Sequence, residues 1–205
     1  MISIIDYGVG NLYSLRCSFE YIGQRVVVTD DPSVISKSDR VILPGVGAFA
    51  DAAAKLSATG LDKVVRAEAA SGKPLLGVCL GMQMLLEKSF EYGEHKGLGL
   101  IKGEVVPIAP KVSKDYKIPH IGWNALSFPA GREKCPIFKY LDDGAHVYFV
   151  HSFYADGCGD ALAATTEYGA TLTAAVASGN VFGTQFHPEK SGEVGLDILR
   201  AFCEV

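Results

Sequence analysis

The sequence predicts an α/β fold built on an open, mixed and mostly parallel sheet with helices on both faces. Apolar strand-like segments alternate with helical segments through the first half of the chain, an order typical of parallel sheets covered by helices. Strand-like segments with glycine-containing turns dominate the second half, which predicts antiparallel additions to that sheet. One buried strand runs directly into a helix at Cys79, and this junction predicts a nucleophile elbow after a central strand.

In the first half, short apolar or β-branched runs predict four strands, at residues 2–6, 25–29, 41–43 and 75–78. The helical spacing of Leu12, Leu15 and Phe19 predicts the first helix. This helix spans residues 11–22 and ends before Gly23. Two further helices are predicted at residues 61–70 and 80–88.

In the second half, six segments predict strands, at residues 103–108, 125–128, 146–150, 161–166, 172–177 and 181–185. Turns between them contain Gly144, Gly169 and Gly179. Apolar residues at helical spacing predict a closing helix over residues 193–204. No linker or internal repeat interrupts this pattern, so residues 1–205 are expected to form one domain.

Composition and charge exclude several classes of function. The chain is 48% hydrophobic and 20% charged with a net charge of −4, and it lacks the basic face or run typical of nucleic-acid binding. No stretch approaches the roughly 20 apolar residues of a membrane helix, and the N-terminus lacks the basic flank of a signal peptide. The five cysteines are widely spaced without a C-x-x-C pair, which argues against a structural zinc site, a redox motif or a disulfide scaffold. We therefore expect a cytoplasmic protein without a metal or another cofactor.

The strongest local signal is the segment 77–83, Gly-Val-Cys-Leu-Gly-Met-Gln. Gly77 and Gly81 flank Cys79 at two residues on either side, and so tight a turn needs small residues at both flanks because neighbouring Cβ atoms would collide. A helix N-terminus favours the thiolate, which is the attacking species in acyl transfer. The backbone N–H of Leu80 is expected to point where an oxyanion forms. The alternative for Cys79 is a small buried apolar residue, the usual fate of a free cysteine.

The segment 183–189, Gly-Thr-Gln-Phe-His-Pro-Glu, supplies a candidate proton carrier. In an extended chain His187 and Glu189 project to the same side, and Pro188 ends the strand. Glu189 can then hold the imidazole in one tautomer and stabilise its cation. A lone His-Pro-Glu triplet is weak evidence that gains weight beside the elbow at Cys79. The alternative for His187 is a histidine with a structural role at the end of a strand.

These two segments together resemble the active-site motifs of the class I, triad-type glutamine amidotransferases, including the order Cys, His, Glu along the chain. The segment 44–47, Pro-Gly-Val-Gly, resembles that family's oxyanion strand. Three further segments, at residues 6–12, 119–124 and 148–154, resemble the glutaminase subunits of imidazole glycerol phosphate synthases. The resemblance covers essentially the whole chain and implies the fold of that family.

The resemblance implies that L-glutamine is hydrolysed to glutamate and ammonia. In this reaction Cys79 attacks the side-chain amide, His187 protonates the leaving ammonia, and Glu189 orients the imidazole. The implied substrate and oxyanion contacts are Gly45, Val46, Gly47, Leu80, Gln83, His151, Ser152 and Phe153.

The resemblance also implies a heterodimer with a (β/α)8-barrel cyclase subunit, and little activity without it. This partner uses the ammonia to make imidazole glycerol phosphate and aminoimidazole carboxamide ribotide in histidine biosynthesis. A sealed interface preserves ammonia, because ammonium is not nucleophilic. The implied interface residues are Asn11, Pro119, His120, Trp123, Asn124 and Lys190. The alternative for Trp123 is core packing, and His120 and His151 are expected to be structural or interface groups rather than acid–base catalysts.

Three other functions compete with this interpretation. The Gly8-Val9-Gly10 element after a strand suggests dinucleotide binding, but Tyr13 stands where the fingerprint needs a third glycine. A glutaminase serving anthranilate, guanylate or pyridoxal phosphate synthesis is disfavoured by the segment 119–124. A catalytically silent partner-binding subunit is disfavoured because all three triad residues are present.

Overall fold

A computed structural model describes residues 1–205 of the chain. It contains thirteen strands: β1 (Ile2–Ile5), β2 (Val26–Thr29), β3 (Arg40–Leu43), β4 (Leu75–Val78), β5 (Lys88–Ser89), β6 (His95–Lys96), β7 (Glu104–Pro107), β8 (His120–Ala125), β9 (His146–His151), β10 (Phe153–Asp156), β11 (Leu162–Glu167), β12 (Thr171–Ser178) and β13 (Val181–Thr184). It contains six α-helices: α1 (Leu12–Tyr21), α2 (Pro32–Ser36), α3 (Phe49–Ala58), α4 (Leu61–Ala70), α5 (Leu80–Leu85) and α6 (Gly192–Phe202).

The central sheet has seven strands in the order β11-β12-β13-β4-β3-β1-β2. The five strands from β13 to β2 run parallel, whereas β12 and β11 add antiparallel pairs at one edge. The predicted mixed and mostly parallel sheet is therefore confirmed. The parallel strands are short apolar runs such as the fully buried β4, as expected where helices cover both faces.

Helices pack on both faces of this sheet, as the sequence predicted. On one face α1 and α6 bury a cluster that includes Phe19, Leu199 and Phe202. On the other face α3 and α4 bury a cluster that includes Phe49 and Val65. Full burial of each such aromatic or aliphatic side chain stabilises the fold by about 1.5–3 kcal/mol, so the two layers hold the sheet rigid between them.

Two smaller sheets lie beside the central one. Strands β10, β7, β5 and β6 form a four-stranded sheet, and β8 and β9 form an antiparallel pair. In that pair His120 lies opposite His151 and Trp123 lies opposite Tyr148. The pair therefore brings the segments 119–124 and 148–154, which lie far apart in the sequence, side by side.

The structure corrects several predicted elements. Helices α2 and α3 were not predicted, although α2 begins with a helix start signal, Pro32 after the N-cap Asp31, whose carboxylate accepts the Ser33 N–H at 2.8 Å. The strand predicted at residues 125–128 is wrong, because the strand is His120–Ala125 and leaves the ladder after Ala125. The helix predicted at residues 80–88 ends at Leu85, since Leu86 adopts an extended backbone.

The order of the strands brings three segments together at the carboxyl-terminal end of the central sheet. Strand β4 lies between β3 and β13, and all three run parallel. Their carboxyl ends therefore lead into Cys79, into the segment 44–47 and into the segment 185–189 at the same edge, where ligands bind in open α/β sheets.

Candidate active site

Cys79 sits in a strained turn between β4 and α5. Its backbone angles are φ 56° and ψ −111°, a conformation that non-glycine residues adopt only where the surroundings enforce it. A Cβ atom on Gly77 would lie 2.7 Å from the carbonyl oxygen of Gly81, and one on Gly81 would lie 1.9 Å from the carbonyl oxygen of Leu43. The glycines that the sequence analysis required are thus needed for the close approach of strand and helix, and the turn fixes the direction of the Cys79 side chain.

The parallel ladder fixes the segment that carries His187 beside this turn. The Cys79 N–H donates to the carbonyl of Thr184 at 2.7 Å, and the His187 N–H donates to the carbonyl of Tyr148 at 3.0 Å. Both side chains line the same pocket, into which Cys79 exposes 8% of its surface. The sulfur is therefore accessible from the pocket and is not sealed in the core.

His187 is hydrogen-bonded to Glu189 and lines the same pocket as Cys79. Its Nδ1–H donates to Oε1 of Glu189 at 2.8 Å, and both side chains are almost completely buried. Burial alone would lower the pKa of His187, but the neighbouring Cys79 and the carboxylate of Glu189 outweigh it and raise that pKa to about 10. Asn11 also donates its Nδ2–H to the same carboxylate oxygen at 3.4 Å. A nucleophile, a protonated imidazole and an orienting carboxylate in this arrangement can perform acyl transfer from an amide.

The pocket beside Cys79 has a volume of about 320 Å³, a size at the lower end of small-molecule sites. It is lined by most of the residues predicted to contact the substrate: Val46, Gly47, Leu80, Gln83, His151, Ser152 and Phe153. Gly45 is not among the lining residues, and Glu91, Pro119 and Val150 add to them.

Glu91 is a pocket residue that the sequence analysis missed. Its carboxylate accepts the N–H of Phe49 in the first turn of α3, and it reaches the pocket because the chain folds back through β5 just before it. No local pattern distinguishes Glu91 from the nearby Glu87 and Glu94, so only the tertiary structure identifies it. Glu91 adds a carboxylate to the residues that line the pocket.

The predicted oxyanion donor is already engaged. The Leu80 N–H donates to the carbonyl oxygen of Gly45 at 3.3 Å. The segment 44–47 that contains this carbonyl is tethered at its base, where the Tyr7 O–H donates to the carbonyl of Pro44 at 2.7 Å. Burial and the nearby Cys79 both raise the pKa of Tyr7, so its hydroxyl stays protonated and remains a donor.

Gln83, a predicted substrate contact, donates both of its side-chain amide hydrogens to other groups of the protein. Its Nε2 donates to the carbonyl of Phe153 at 3.1 Å and to Oε1 of Gln185 at 3.0 Å. Its own Oε1 is the remaining polar atom of the side chain. Gln83 can therefore offer a ligand an acceptor but no donor.

His151, which lines the pocket, forms a buried pair with His120. The His151 Nδ1–H donates to the carbonyl of Phe153 at 2.8 Å, and the two rings approach within 3.0 Å through His151 Nε2 and His120 Nδ1. Burial lowers the pKa of His151 to about 3 and also lowers that of His120. Burial thus favours the neutral form of both imidazoles, which fits their expected structural role.

The residues predicted to face a partner differ in exposure. Trp123 is 53% exposed beside Ile121 at 57%, so the core alternative for Trp123 is wrong. Lys190 stands over the ring of Tyr148, 5.8 Å from Nζ to the ring centre, and Tyr148 packs edge-on against Trp123. Three of the other predicted residues are Asn11 at the start of α1, Pro119 on the pocket rim and the half-buried Asn124. His120 lies beneath this surface, because its ring is fully buried between Phe149 and Tyr168.

Two further observations concern metal binding and membrane-spanning helices. No group of three or more His, Cys, Asp or Glu side chains has an arrangement that could hold a metal ion. No helix is both long enough and apolar enough to cross a membrane.

Comparison with known proteins places these features in a family. The model of the class I glutamine amidotransferase family matches residues 3–204. The imidazole glycerol phosphate synthase subunit HisH of Syntrophotalea carbinolica is 47% identical over 209 residues, covering 100% of each chain. The subunit HisH of Bacillus cytotoxicus is 48% identical over 202 residues, covering 98% of this chain and 93% of that protein.

Solved structures share the fold at lower identity. A crystal structure of a glutamine amidotransferase has a TM-score of 0.76 at 18% identity, covering 99% of this chain and 97% of that chain. The PurLQS structure from Thermotoga maritima has a TM-score of 0.74 at 21% identity over the same shares of the two chains. These likenesses bear on the fold alone, and they agree with the mixed sheet and its helical layers.

Proposed function

The chain belongs to the class I glutamine amidotransferases, and we propose that it is the glutaminase subunit of an imidazole glycerol phosphate synthase, hydrolysing L-glutamine to L-glutamate and ammonia. The observation that carries this proposal is that Cys79 and His187 line one pocket while Glu189 is hydrogen-bonded to His187. The full-length identity of 47–48% to proteins named as that subunit supports the choice of pathway. Five free cysteines suit the reducing cytoplasm.

The chemistry proceeds through a covalent intermediate. The Cys79 thiolate adds to the side-chain amide carbon of glutamine, and the carbonyl electrons move to oxygen. As the tetrahedral adduct collapses, the C–N bond breaks and His187 delivers its proton to the departing nitrogen, which leaves as ammonia. Water, losing a proton to His187, then hydrolyses the glutamyl thioester and regenerates the ion pair. Glu189 keeps the imidazole in the tautomer that both proton transfers require.

The pocket offers complementary groups to the rest of an amino acid. Glu91 is an acid on the pocket wall and suits the α-ammonium group, because charge-assisted hydrogen bonds are the strong ones. Gln83 Oε1 is an acceptor that suits the amide NH₂ of the substrate. The backbone of residues 151–153 forms another wall, from which main-chain groups can bind the α-carboxylate and the amide.

The resting oxyanion site supports activation by a partner. While the Gly45 carbonyl accepts the Leu80 N–H, that N–H cannot serve the developing oxyanion. Rotation of the peptide between Gly45 and Val46 would turn the Gly45 carbonyl away from the Leu80 N–H and point the Val46 N–H into the pocket. The oxyanion would then have two donors, the N–H groups of Leu80 and Val46. One such donor changes kcat by about 100- to 1,000-fold in comparable sites.

The proposed partner is a (β/α)8-barrel cyclase subunit that docks on the exposed surface of β8 and β9. The exposed pair Ile121 and Trp123 forms an apolar centre beside the positive Lys190, a composition typical of interface cores. Pro119 borders both this surface and the pocket, so a partner bound here can receive ammonia before it is protonated in solvent.

Ammonia release from glutamine tests this function in the chain alone and with the cyclase subunit and its nucleotide ligand. We expect strong stimulation by the cyclase in the parent and no activity in Cys79→Ala under either condition. Cys135→Ala, at a cysteine that lines a different pocket without any predicted site residue, is the matched control and should behave as the parent. Equal activity with and without the cyclase would favour a glutaminase of another pathway, and no activity with it would favour a silent subunit.

A further inference from the structure

Gln185 is a completely buried polar residue that the proposed chemistry does not use. It follows β13, two residues before His187, and none of its surface is exposed. Its Nε2 lies 3.8 Å from the sulfur of Cys79. A buried amide is costly unless its polar atoms are paired, so its orientation toward the sulfur calls for a physical reason.

The hydrogen-bond network fixes which end of the Gln185 amide faces the sulfur. The carbonyl of Phe153 can only accept, so the atom of Gln83 that contacts it at 3.1 Å must be the NH₂ group. The same NH₂ group contacts Gln185 at 3.0 Å, so Gln185 must present its oxygen there. Its own NH₂ group is thereby directed at Cys79. The assignment follows from a chain of obligatory donors and acceptors.

The chain of contacts is also anchored at each step. The Phe153 carbonyl accepts a second hydrogen bond from His151 at 2.8 Å. The backbone N–H of Gln83 donates to the carbonyl of Cys79 at 3.2 Å, and the backbone N–H of Gln185 donates to the carbonyl of Ala174 at 2.8 Å. Buried networks with every member satisfied hold one geometry. The Gln185 NH₂ group is consequently held in place before any substrate arrives.

We propose that Gln185 is a positioning residue for the nucleophile, donating an amide N–H to the Cys79 sulfur and fixing the direction of that sulfur. This inference rests on the proposed function, in which the thiolate attacks glutamine. Gln185 is an uncharged donor to the sulfur, distinct from the His187 imidazole, which lines the same pocket as Cys79. Because Gln185 gives up no proton during the reaction, it keeps the sulfur oriented while the His187 proton leaves with ammonia.

The test compares the parent with Gln185→Met and Gln185→Glu, using the rate at which iodoacetamide alkylates Cys79 at pH 7. Peptide mass mapping separates Cys79 from Cys17, whose rate in the same sample is the internal reference. Q185M keeps the side-chain length and loses the donor, so its rate should fall about 10-fold, the effect of one hydrogen bond to a charged group. Q185E is isosteric, but it turns an acceptor oxygen toward the sulfur, so its rate should fall further.

The two variants separate donation to the sulfur from a scaffolding role toward Gln83. Q185E still accepts the Gln83 hydrogen bond, so a scaffold alone predicts a rate near that of the parent for Q185E and a loss only in Q185M. That order would overturn the inference. If thermal melting shows that Q185E does not fold, Q185M is compared with Gln83→Met, and equal rates in these two would overturn it. A parent Cys79 no more reactive than Cys17 would instead contradict the proposed function.

Discussion

The two halves of the candidate site are built differently. Cys79, His187 and Glu189 are buried side chains that follow adjacent parallel strands; His187 is hydrogen-bonded to Glu189 and shares a pocket wall with Cys79. The segment 44–47 lies at the rim, where Val46 is 41% exposed and the Gly45 carbonyl occupies the Leu80 N–H. The reactive side chains are thus preorganised in the isolated chain, whereas the donors for the oxyanion are not. A partner can control such a site by moving one short backbone segment without disturbing the nucleophile.

The largest effect is expected when the preorganised half is broken. His187→Asn removes the proton carrier and should lower kcat by about 10,000-fold, both with the cyclase subunit and without it. Steady-state ammonia release measures both conditions. His146→Asn, at an exposed histidine on β9, is the matched control. A loss seen only in the complex would show that His187 acts through the partner rather than in the chemistry.

A smaller and conditional effect is expected in the segment 44–47. Val46→Pro removes the N–H that peptide rotation would bring into the site, so the stimulation by the cyclase should fall by about 100- to 1,000-fold. The measurement is the ratio of kcat with and without the cyclase subunit.

Val46→Ala is the control for this prediction, because it shortens the side chain and keeps the N–H. The stimulation of Val46→Ala should stay within about 3-fold of the parent, a difference of under 1 kcal/mol. Stimulation of Val46→Pro as strong as that of Val46→Ala would show that the Val46 N–H is not the missing donor.

A still smaller effect is expected at Glu189, which orients His187. Glu189→Gln keeps the shape but removes the charge, so activity at pH 7 should fall about 10- to 100-fold, as for a hydrogen bond between charged groups. The pKa of His187 should fall from about 10, moving the alkaline limit of activity to lower pH. Glu193→Gln, at an exposed glutamate of α6, is the control and should leave the pH profile unchanged.

The pairing of His187 with Glu189 also predicts how the free energy of unfolding depends on pH. The folded His187 has a pKa of about 10, above the roughly 6.5 of an unfolded histidine. Its contribution to the free energy of unfolding is therefore fully present below about pH 6.5 and is lost as the pH rises towards 10. Urea unfolding at pH 6.5 and pH 10 should show a smaller loss in Glu189→Gln than in the parent. Equal losses would mean that the raised pKa does not depend on Glu189.

The smallest effect is expected at Tyr7, which lies near Cys79 and is hydrogen-bonded to the segment 44–47. Tyr7→Phe deletes only the O–H donated to the Pro44 carbonyl. Looser positioning of the segment 44–47 should lower the cyclase-stimulated kcat about 5-fold with little change in KM, the scale of one neutral hydrogen bond. Tyr21→Phe, at an exposed tyrosine on α1, is the control. A change in KM without a change in kcat would place Tyr7 in substrate binding instead.

The difference between the buried triad side chains and the segment 44–47 also explains which features could be predicted from the sequence. The strand, elbow and glycines around Cys79 were predictable because local crowding allows only certain residue types there. The strand His120–Ala125 was missed because its exposed side chains, Ile121 and Trp123, do not follow a buried and polar alternation. Glu91, Gln185 and the engagement of Leu80 depend on contacts between distant segments, which no local pattern encodes. The gathering of Cys79, His187 and Glu189 was therefore predictable from local patterns, whereas the hydrogen bonds of Leu80 and Gln185 were not.

The hydrogen bond from the Leu80 N–H to the Gly45 carbonyl has a consequence for how a cell uses the nitrogen of glutamine. Glutamine is the main carrier of reduced nitrogen in a cell, and an always-active glutaminase would drain it into free ammonium. Under the proposed activation, a chain whose own backbone occupies this donor would hydrolyse glutamine only when the partner moves the Gly45 carbonyl away. The supply of nitrogen would then be matched, one molecule at a time, to the demand of the enzyme that consumes it.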